Sequence, residues 1–315
     1  NAASYYWGFC SGYLKNAPTG TNLGKKFNLH LPTNIDIIND SGIFYGFAIN
    51  SETREFLRYN FGNSLNNVPT ITNFDSLKGG LPVNPTSLYI LKDTFSHNWY
   101  IFVSGGFTRA KSTLGRIDFG PHLGNPRPNV ANFGNYNNLL NYPKGLFVAQ
   151  DGSNNWYGYL VNQASSELIK LDFSFNVSNT PLMENLGNIS DAFGNPVLNG
   201  PSDIAAIRDK GNWFFFVTNA YANTVARLDI GPDLGTPTPG AFLGTSLGDF
   251  NFRINYPTSI TINRDCGELY AYVIDSTTSQ LVGIQMPEAI GPYYAIDYNN
   301  VGLLNFPSSI SSIIR

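Results

Sequence analysis

The chain has 315 residues, with 19 Lys and Arg against 22 Asp and Glu, a formal charge of −3. Its 39 Asn, 31 Gly and 19 Pro make turn formers abundant, and only 13% of residues are charged, about half the usual share. The 42% apolar content is ample for a core and argues against disorder. No basic block suits a nucleic acid, and the densest apolar run, Trp213 to Val217, falls far short of the ~20 residues of a membrane helix.

A proline precedes an apolar alternation six times, at Pro32, Pro85, Pro143, Pro201, Pro257 and Pro307, with steps of 53, 58, 58, 56 and 50 residues. Three residues after each stands an aliphatic side chain: Ile35, Leu88, Leu146, Ile204, Ile260 and Ile310. Two further on come Ile37, Ile90, Val148, Ala206 and Ile262, the period of a strand with one buried face. Proline is tolerated at a strand entrance, where a missing N–H costs least.

A second strand begins after a polar turn, at Ile43, Trp99, Trp156, Trp213 and Leu269. It closes on Asn50, Gly105, Asn162, Asn219 or Asp275, residues suited to turns. A third strand carries Arg58-x-Asn60, Arg116-x-Asp118, Lys170-x-Asp172 and Arg227-x-Asp229. A fourth ends near Asn73, Asn132 or Asn185. Four short strands per roughly 55 residues is the unit of a β-propeller blade.

The expected fold is therefore all-β, one propeller domain over residues 1–315 with blades starting near 31, 84, 142, 200 and 256. The steps Asn16-Ala17-Pro18 to Gly24 and Asn179-Thr180-Pro181 to Gly187 match. This match predicts a sixth, composite blade from residues 1–30 and 305–315, closed by both termini, which removes open sheet edges. In that arrangement Cys10 and Cys266, the only cysteines, lie on different strands of adjacent blades, roughly 10 Å apart, and are expected to stay unpaired. No signal peptide is recognisable at Asn1, so the chain is expected to be cytosolic or already processed; high Asn and Tyr with few Lys favour a secreted or cell-surface protein.

The pattern Asn155-Trp156-Tyr157-Gly158-Tyr159, with Arg116-x-Asp118-Phe119-Gly120 and Asn185-Leu186-Gly187-Asn188, resembles NHL-like propeller repeats of large surface proteins of gliding Bacteroidota. The resemblance is best over residues 80–275. It implies export by the type 9 secretion pathway and a part in gliding or adhesion, with possible outer-membrane association. Blade five departs from it, with Gly283 to Met286 in place of Arg-x-Asp-Phe.

Candidate chemistry is sparse. The second residue after each proline, Asn34, Ser87, Gly145, Asp203, Ser259 and Ser309, should face the channel, which makes Asn34, Ser87, Asp203 and Ser259 channel-mouth candidates. Only Asp203 is a carboxylate, so a metal-dependent, lactonase-like hydrolase resting on Asp203 and Asn34 is a minor alternative. His30, His97 and His122 fall at unrelated blade positions, and no catalytic residue, metal site or cofactor is expected. Tyr142, Tyr256 and Phe306 immediately precede three of the prolines and are candidates to stack on a ligand such as a sugar. The Arg-x-Asp pairs read as structural salt bridges, and Trp99, Trp156 and Trp213 as packing between blades. Asp75-Ser76 and Asp275-Ser276 resemble O-glycosylation sites of exported Bacteroidota proteins. The expected function is a non-catalytic ring that binds a protein or a cell-surface glycan, with a component or cargo of the secretion and gliding apparatus as the alternative.

Overall fold

The computed structural model describes residues 14 and 16 and residues 28–237, 242–298 and 304–311. The first blade comprises β1 (Pro32–Asp40), β2 (Ile43–Asn50), β3 (Phe56–Gly62) and β4 (Thr70–Asn73). The second comprises β5 (Pro85–Lys92), β6 (Trp99–Gly105), β7 (Thr113–Gly120) and β8 (Asn129–Gly134). Blade three contains β9 (Pro143–Gln150), β10 (Trp156–Asn162), β11 (Glu167–Ser174) and β12 (Leu182–Gly187). Blade four contains β13 (Pro201–Asp209), β14 (Asn212–Asn219), β15 (Thr224–Gly231) and β16 (Gly244–Gly248). Blade five contains β17 (Pro257–Asp265), β18 (Glu268–Asp275), β19 (Gln280–Met286) and β20 (Tyr294–Asp297). Each blade is a four-stranded antiparallel sheet of consecutive strands, and the first strand of each of blades one to four lies against the first strand of the following blade. Those inner strands enclose a channel.

The core is laminated between blades. Phe47 of β2 meets Phe119 of β7 at 5.4 Å between ring centroids, Phe102 meets Phe173 at 5.1 Å, and Tyr159 meets Phe215 at 4.7 Å. Edge-on aromatic pairs of this kind add to the area they bury. Trp99 and Trp156 are buried in such layers and Trp213 packs at the edge of one, as their equivalent positions predict. The cations of the third strands also join blades, mostly through backbone carbonyls; Lys170 in addition forms a cross-strand ion pair with Glu184 of β12 at 2.7 Å. Arg58 donates to the carbonyls of Leu123 and Asn125 at 2.7 and 2.8 Å. Arg116 donates to those of Val177 and Asn179, and Lys170 to those of Gly235 and Pro237. Their acidic neighbours turn inward on their own strand, as when Asp118 accepts from the Gly120 amide at 2.8 Å. Only in blade four does the local pair form, with Arg227 bidentate to Asp229 at 2.6 and 2.8 Å.

The blade count differs from expectation. Among the described residues there are five four-stranded sheets, not six, and residues 304–311 belong to none of them. That segment sits between β17 and β1, held by bonds that involve hydroxyl side chains rather than by a strand ladder. Ile310 donates its amide to Ser259 Oγ at 3.2 Å, and Ile35 donates to Ser309 Oγ at 3.4 Å. The proline-and-aliphatic signature at Pro307 and Ile310 therefore marks a contact with the inner ring and does not guarantee a blade. Residues 1–13 and 17–27, which carry the matched Asn22 to Gly24 step, lie outside the described residues. Leu14 lies against blade five, its amide 3.4 Å from Asp265 Oδ2 and its carbonyl bonded by the Tyr272 hydroxyl.

Cysteine pairing is also corrected. Among the described residues no cysteine is free, and Cys266 is disulfide-bonded. The chain's only other cysteine is Cys10, outside the described residues. The expectation of a 10 Å separation rested on placing residues 1–24 in the outer strands of a composite blade, and no such blade is present among the described residues.

Candidate functional site

The prolines organise the channel mouth. The pairing register breaks just after the proline in four inner strands, between Pro32 and Asn34, Pro85 and Ser87, Pro201 and Asp203, and Pro257 and Ser259. Such a bulge frees the residue after the proline from the ladder and re-aims it. Thr33 Oγ1 donates to the Pro85 carbonyl at 2.8 Å, Thr86 to Pro143 at 2.5 Å, Ser202 to Pro257 at 2.6 Å, Thr258 to Pro307 at 3.0 Å, and Ser308 to Pro32 at 2.7 Å. Five of six positions carry a hydroxyl that ties one inner strand to the next. The sixth is Lys144.

The next position breaks in the same place. Ser259 and Ser309 each accept the amide of the neighbouring strand, from Ile310 and Ile35, and Asp203 Oδ2 likewise accepts from Ile260 at 3.0 Å. Gly145 has no side chain to offer, and Asp203 fills the space. A Cβ on Gly145 would stand 2.4 Å from Asp203 Oδ1 and 2.3 Å from the Ile204 amide nitrogen. Oδ1 itself accepts the Ile204 amide at 2.9 Å, and Oδ2 also accepts from Ser259 Oγ at 2.6 Å. Lys144, Gly145 and Asp203 thus depart from the repeat together, at one junction between blades three and four. Local rules broken at one place in an otherwise regular ring point to function.

The electrostatics of this junction are unusual. Burial pushes the Asp203 carboxyl up to about 6, despite three hydrogen bonds and the Lys144 charge, all of which favour the ionised form. Burial likewise lowers the Lys144 ammonium to about 8, with Asp203 pulling the other way. The ammonium stands 4.4 Å from the centroid of the Tyr142 ring, a cation–π contact.

Aromatic residues surround the same opening. The residue before each proline is left-handed: Leu31, Asn84, Tyr142, Tyr256 and Phe306 have φ of 47°, 44°, 54°, 61° and 46°, and Gly200 has 58°. That region is uncommon for a bulky residue and costs on the order of 1 kcal/mol. It persists because both backbone groups are held. The Tyr142 amide donates to Ser112 Oγ and its carbonyl accepts from Gln163; the Tyr256 amide donates to Asn223 Oδ1 and its carbonyl accepts from Ser276. At blade four, where the residue is Gly200, Tyr221 packs over it so closely that a Cβ would meet its ring at 2.3 Å. Tyr256, Tyr221 and Phe306 are 41%, 56% and 75% exposed, enough for a ligand to reach them.

The sequence candidates therefore divide. Asn34, Ser87, Asp203 and Ser259 line one mouth cavity of about 130 Å³ together with Tyr142, Tyr256 and Lys144. Phe306 is nearby on the chain but does not line it. Below the mouth a larger cavity of about 420 Å³ runs between the inner strands, with Asp203 and Asp36 its two carboxylates and Tyr89 and Phe147 its aromatic side chains. Asp36 Oδ1 accepts from the Ile37 amide at 2.9 Å and from Ser311 Oγ at 2.6 Å. Sequence reasoning missed Lys144 and Asp36. Comparing the residue directly after each proline would have found Lys144, because it alone is not Ser or Thr. A divalent ion does not fit the mouth: among the described residues no group of three His, Cys, Asp or Glu could hold one, and the Lys144 ammonium already supplies the cation beside Asp203.

No protein-family model matches this sequence, and no curated protein does. Solved structures match in fold. A GH43_1 enzyme from Xanthomonas citri complexed with xylose is similar at 10% identity and a TM-score of 0.52, over 88% of this chain and 94% of that one. A GH43 β-xylosidase/α-arabinofuranosidase from a compost microbial metagenome, solved with xylotriose, is similar at 11% identity and a TM-score of 0.51, over 85% and 95%. At such identities the likeness is one of fold. Both of these propellers are glycoside hydrolases, which runs against the expectation of a non-catalytic ring. What the comparisons place this chain among is the four-stranded-blade β-propellers.

Proposed function

We propose that the protein hydrolyses a glycan in the channel, with Asp203 as the general acid and Asp36 as the second carboxylate. One observation carries this reading: two carboxylates open into a single cavity, and one of them is pushed to about 6. Glycoside hydrolysis needs a proton donor and a second carboxylate in one site, and the burial that raises Asp203 suits it to the first role. Asp36 Oδ1 accepts hydrogen bonds from the Ile37 amide and the Ser311 hydroxyl, which hold that carboxylate in place beside the cavity. Asp203 Oδ1 accepts only the Ile204 amide and keeps capacity for a proton. Tyrosines at the rim offer faces on which sugar rings stack, and the glycoside hydrolases that share the fold support this substrate class.

Export also belongs to this proposal, since a disulfide at Cys266 suits an oxidising compartment and glycans are extracellular substrates. The test is hydrolysis of a panel of arabinan, xylan and uronic-acid polysaccharides by the purified protein, with Asp203→Asn and Asp36→Asn alongside. Each variant should lose at least 100-fold in kcat/KM, and wild-type activity should fall as pH rises through about 6, where Asp203 gives up its proton. Inactivity on every glycan, or an undiminished Asp203→Asn, would overturn the assignment.

A further inference from the structure

We propose that the mouth cavity selects an acidic sugar, a uronic acid residue whose carboxylate is taken by the Lys144 ammonium while its ring lies against Tyr142 and Tyr256. The inference rests on the glycan reading above and names the chemical class of the glycan.

Its first support is the exchange of residue type. Every other position after the proline carries a short hydroxyl that donates to the carbonyl of the proline on the neighbouring segment. Lys144 abandons that bond. In blade three neither Lys144 nor Gly145 has a register partner on β10, so the long side chain is released where the bulge opens. An amine here does nothing for the ring that Ser or Thr would not do better.

The second support is the state of the ammonium. Among the described residues Lys144 is in no ion pair, and its side chain donates no hydrogen bond. Its neighbours are the Tyr142 face and, at longer range, the Asp203 charge. A lysine has three donors, and enclosing it without an acceptor is costly unless something arrives to accept.

The third support is selectivity. Asp203 is the one other charged residue lining this cavity, and it is turned toward β17 by Ser259 and the Ile260 amide. The remaining lining is hydroxyl, amide and phenol, including Gln163, Tyr142 and Tyr256. A carboxylate would gain charge-assisted bonds from Lys144, stronger than those a sugar hydroxyl can form. At about 130 Å³ the space admits one sugar unit rather than a stretch of polymer.

The experiment is titration calorimetry on the whole protein with oligogalacturonate and with a neutral xylo-oligosaccharide of the same length. Wild type should bind the acidic oligosaccharide at least tenfold tighter, and Lys144→Met should remove that preference. Equal affinities for the two ligands, or a preference that survives Lys144→Met, would overturn the inference. Wild-type discrimination decides the matter even if the variant does not fold, since it needs no substitution. Acidic binding without hydrolysis would sink the catalytic assignment alone; hydrolysis of neutral glycans with no acidic preference would sink this one alone.

Discussion

Gly145 and Asp203 occupy what would be a single side chain's space: the carboxylate of one stands 2.4 Å from where the Cβ of the other would be. The contact joins β9 to β13, and it sits at the point where the inner ring gives up its repeating hydroxyls. Because the clash would also involve the Ile204 amide nitrogen and the Asp203 Cα, both backbone atoms, it cannot be relieved by a flexible side chain.

Gly145→Ala should therefore destabilise the fold by about 1–3 kcal/mol, the range of an overpacked interior, and shift Asp203 in the channel. Gly152, whose added Cβ meets nothing within 4 Å, is the control. Urea denaturation of both variants measures the difference. Equal midpoints for Gly145→Ala and Gly152→Ala would remove the argument that glycine is required here by the carboxylate.

Lys144→Met should raise stability at pH 7. The folded lysine has its value lowered to about 8 from 10.5, so between those values the unfolded chain binds the proton more tightly. Stability then rises with pH across that window, and below it the enclosed ammonium imposes its full penalty. Removing the amine should gain about 1–3 kcal/mol at pH 7, given ~1.4 kcal/mol per pKa unit, with the gain fading toward pH 10.5. Denaturant midpoints across pH 7–10.5 test it. A gain independent of pH would mean that packing, not charge, was responsible.

The five inner strands and their prolines were legible because the period-2 pattern and the strand entrance both leave marks in the sequence. The blade number was not, because Pro307 and Ile310 reproduce that mark while contributing hydroxyl contacts in place of a ladder. Site residues at the second position after the proline were legible as a set. Their grouping with Lys144 was not, since it depends on a bulge that turns two consecutive residues to the same opening. The Arg-x-Asp motif was visible, but the carbonyl partners of Arg58 and Arg116 lie more than 60 residues away, where no local pattern reaches.

Cys266→Ser should lower stability by about 2–5 kcal/mol, the usual cost of losing a native disulfide. Cys266 sits in the turn between β17 and β18, beside Asp265, to which the Leu14 amide also bonds. Reduction of the wild type should reproduce the loss, and reduction of the variant should add nothing to it. A wild type whose thermal midpoint is unchanged by reductant would show the bridge to be mechanically idle.

Tyr256→Gly separates a packing role from a binding role. Tyr256 is held at φ 61°, where glycine relieves strain on the order of 1 kcal/mol. Glycine also loses more backbone entropy on folding, by roughly 0.5–1 kcal/mol, so those two effects nearly cancel. Tyr256 is 41% exposed and appears in none of the buried core clusters, so little packing is lost. Its amide bond to Asn223 and its carbonyl bond from Ser276 are backbone contacts that glycine keeps. Stability should therefore stay within about 0.5 kcal/mol of wild type, while affinity for the glycan falls at least tenfold as the stacking face disappears. A tyrosine that only packed would give the reverse: a loss of about 2 kcal/mol or more on truncation with glycan binding intact. Denaturation and calorimetry on the same variant distinguish the two outcomes, and the second would remove Tyr256 from the site.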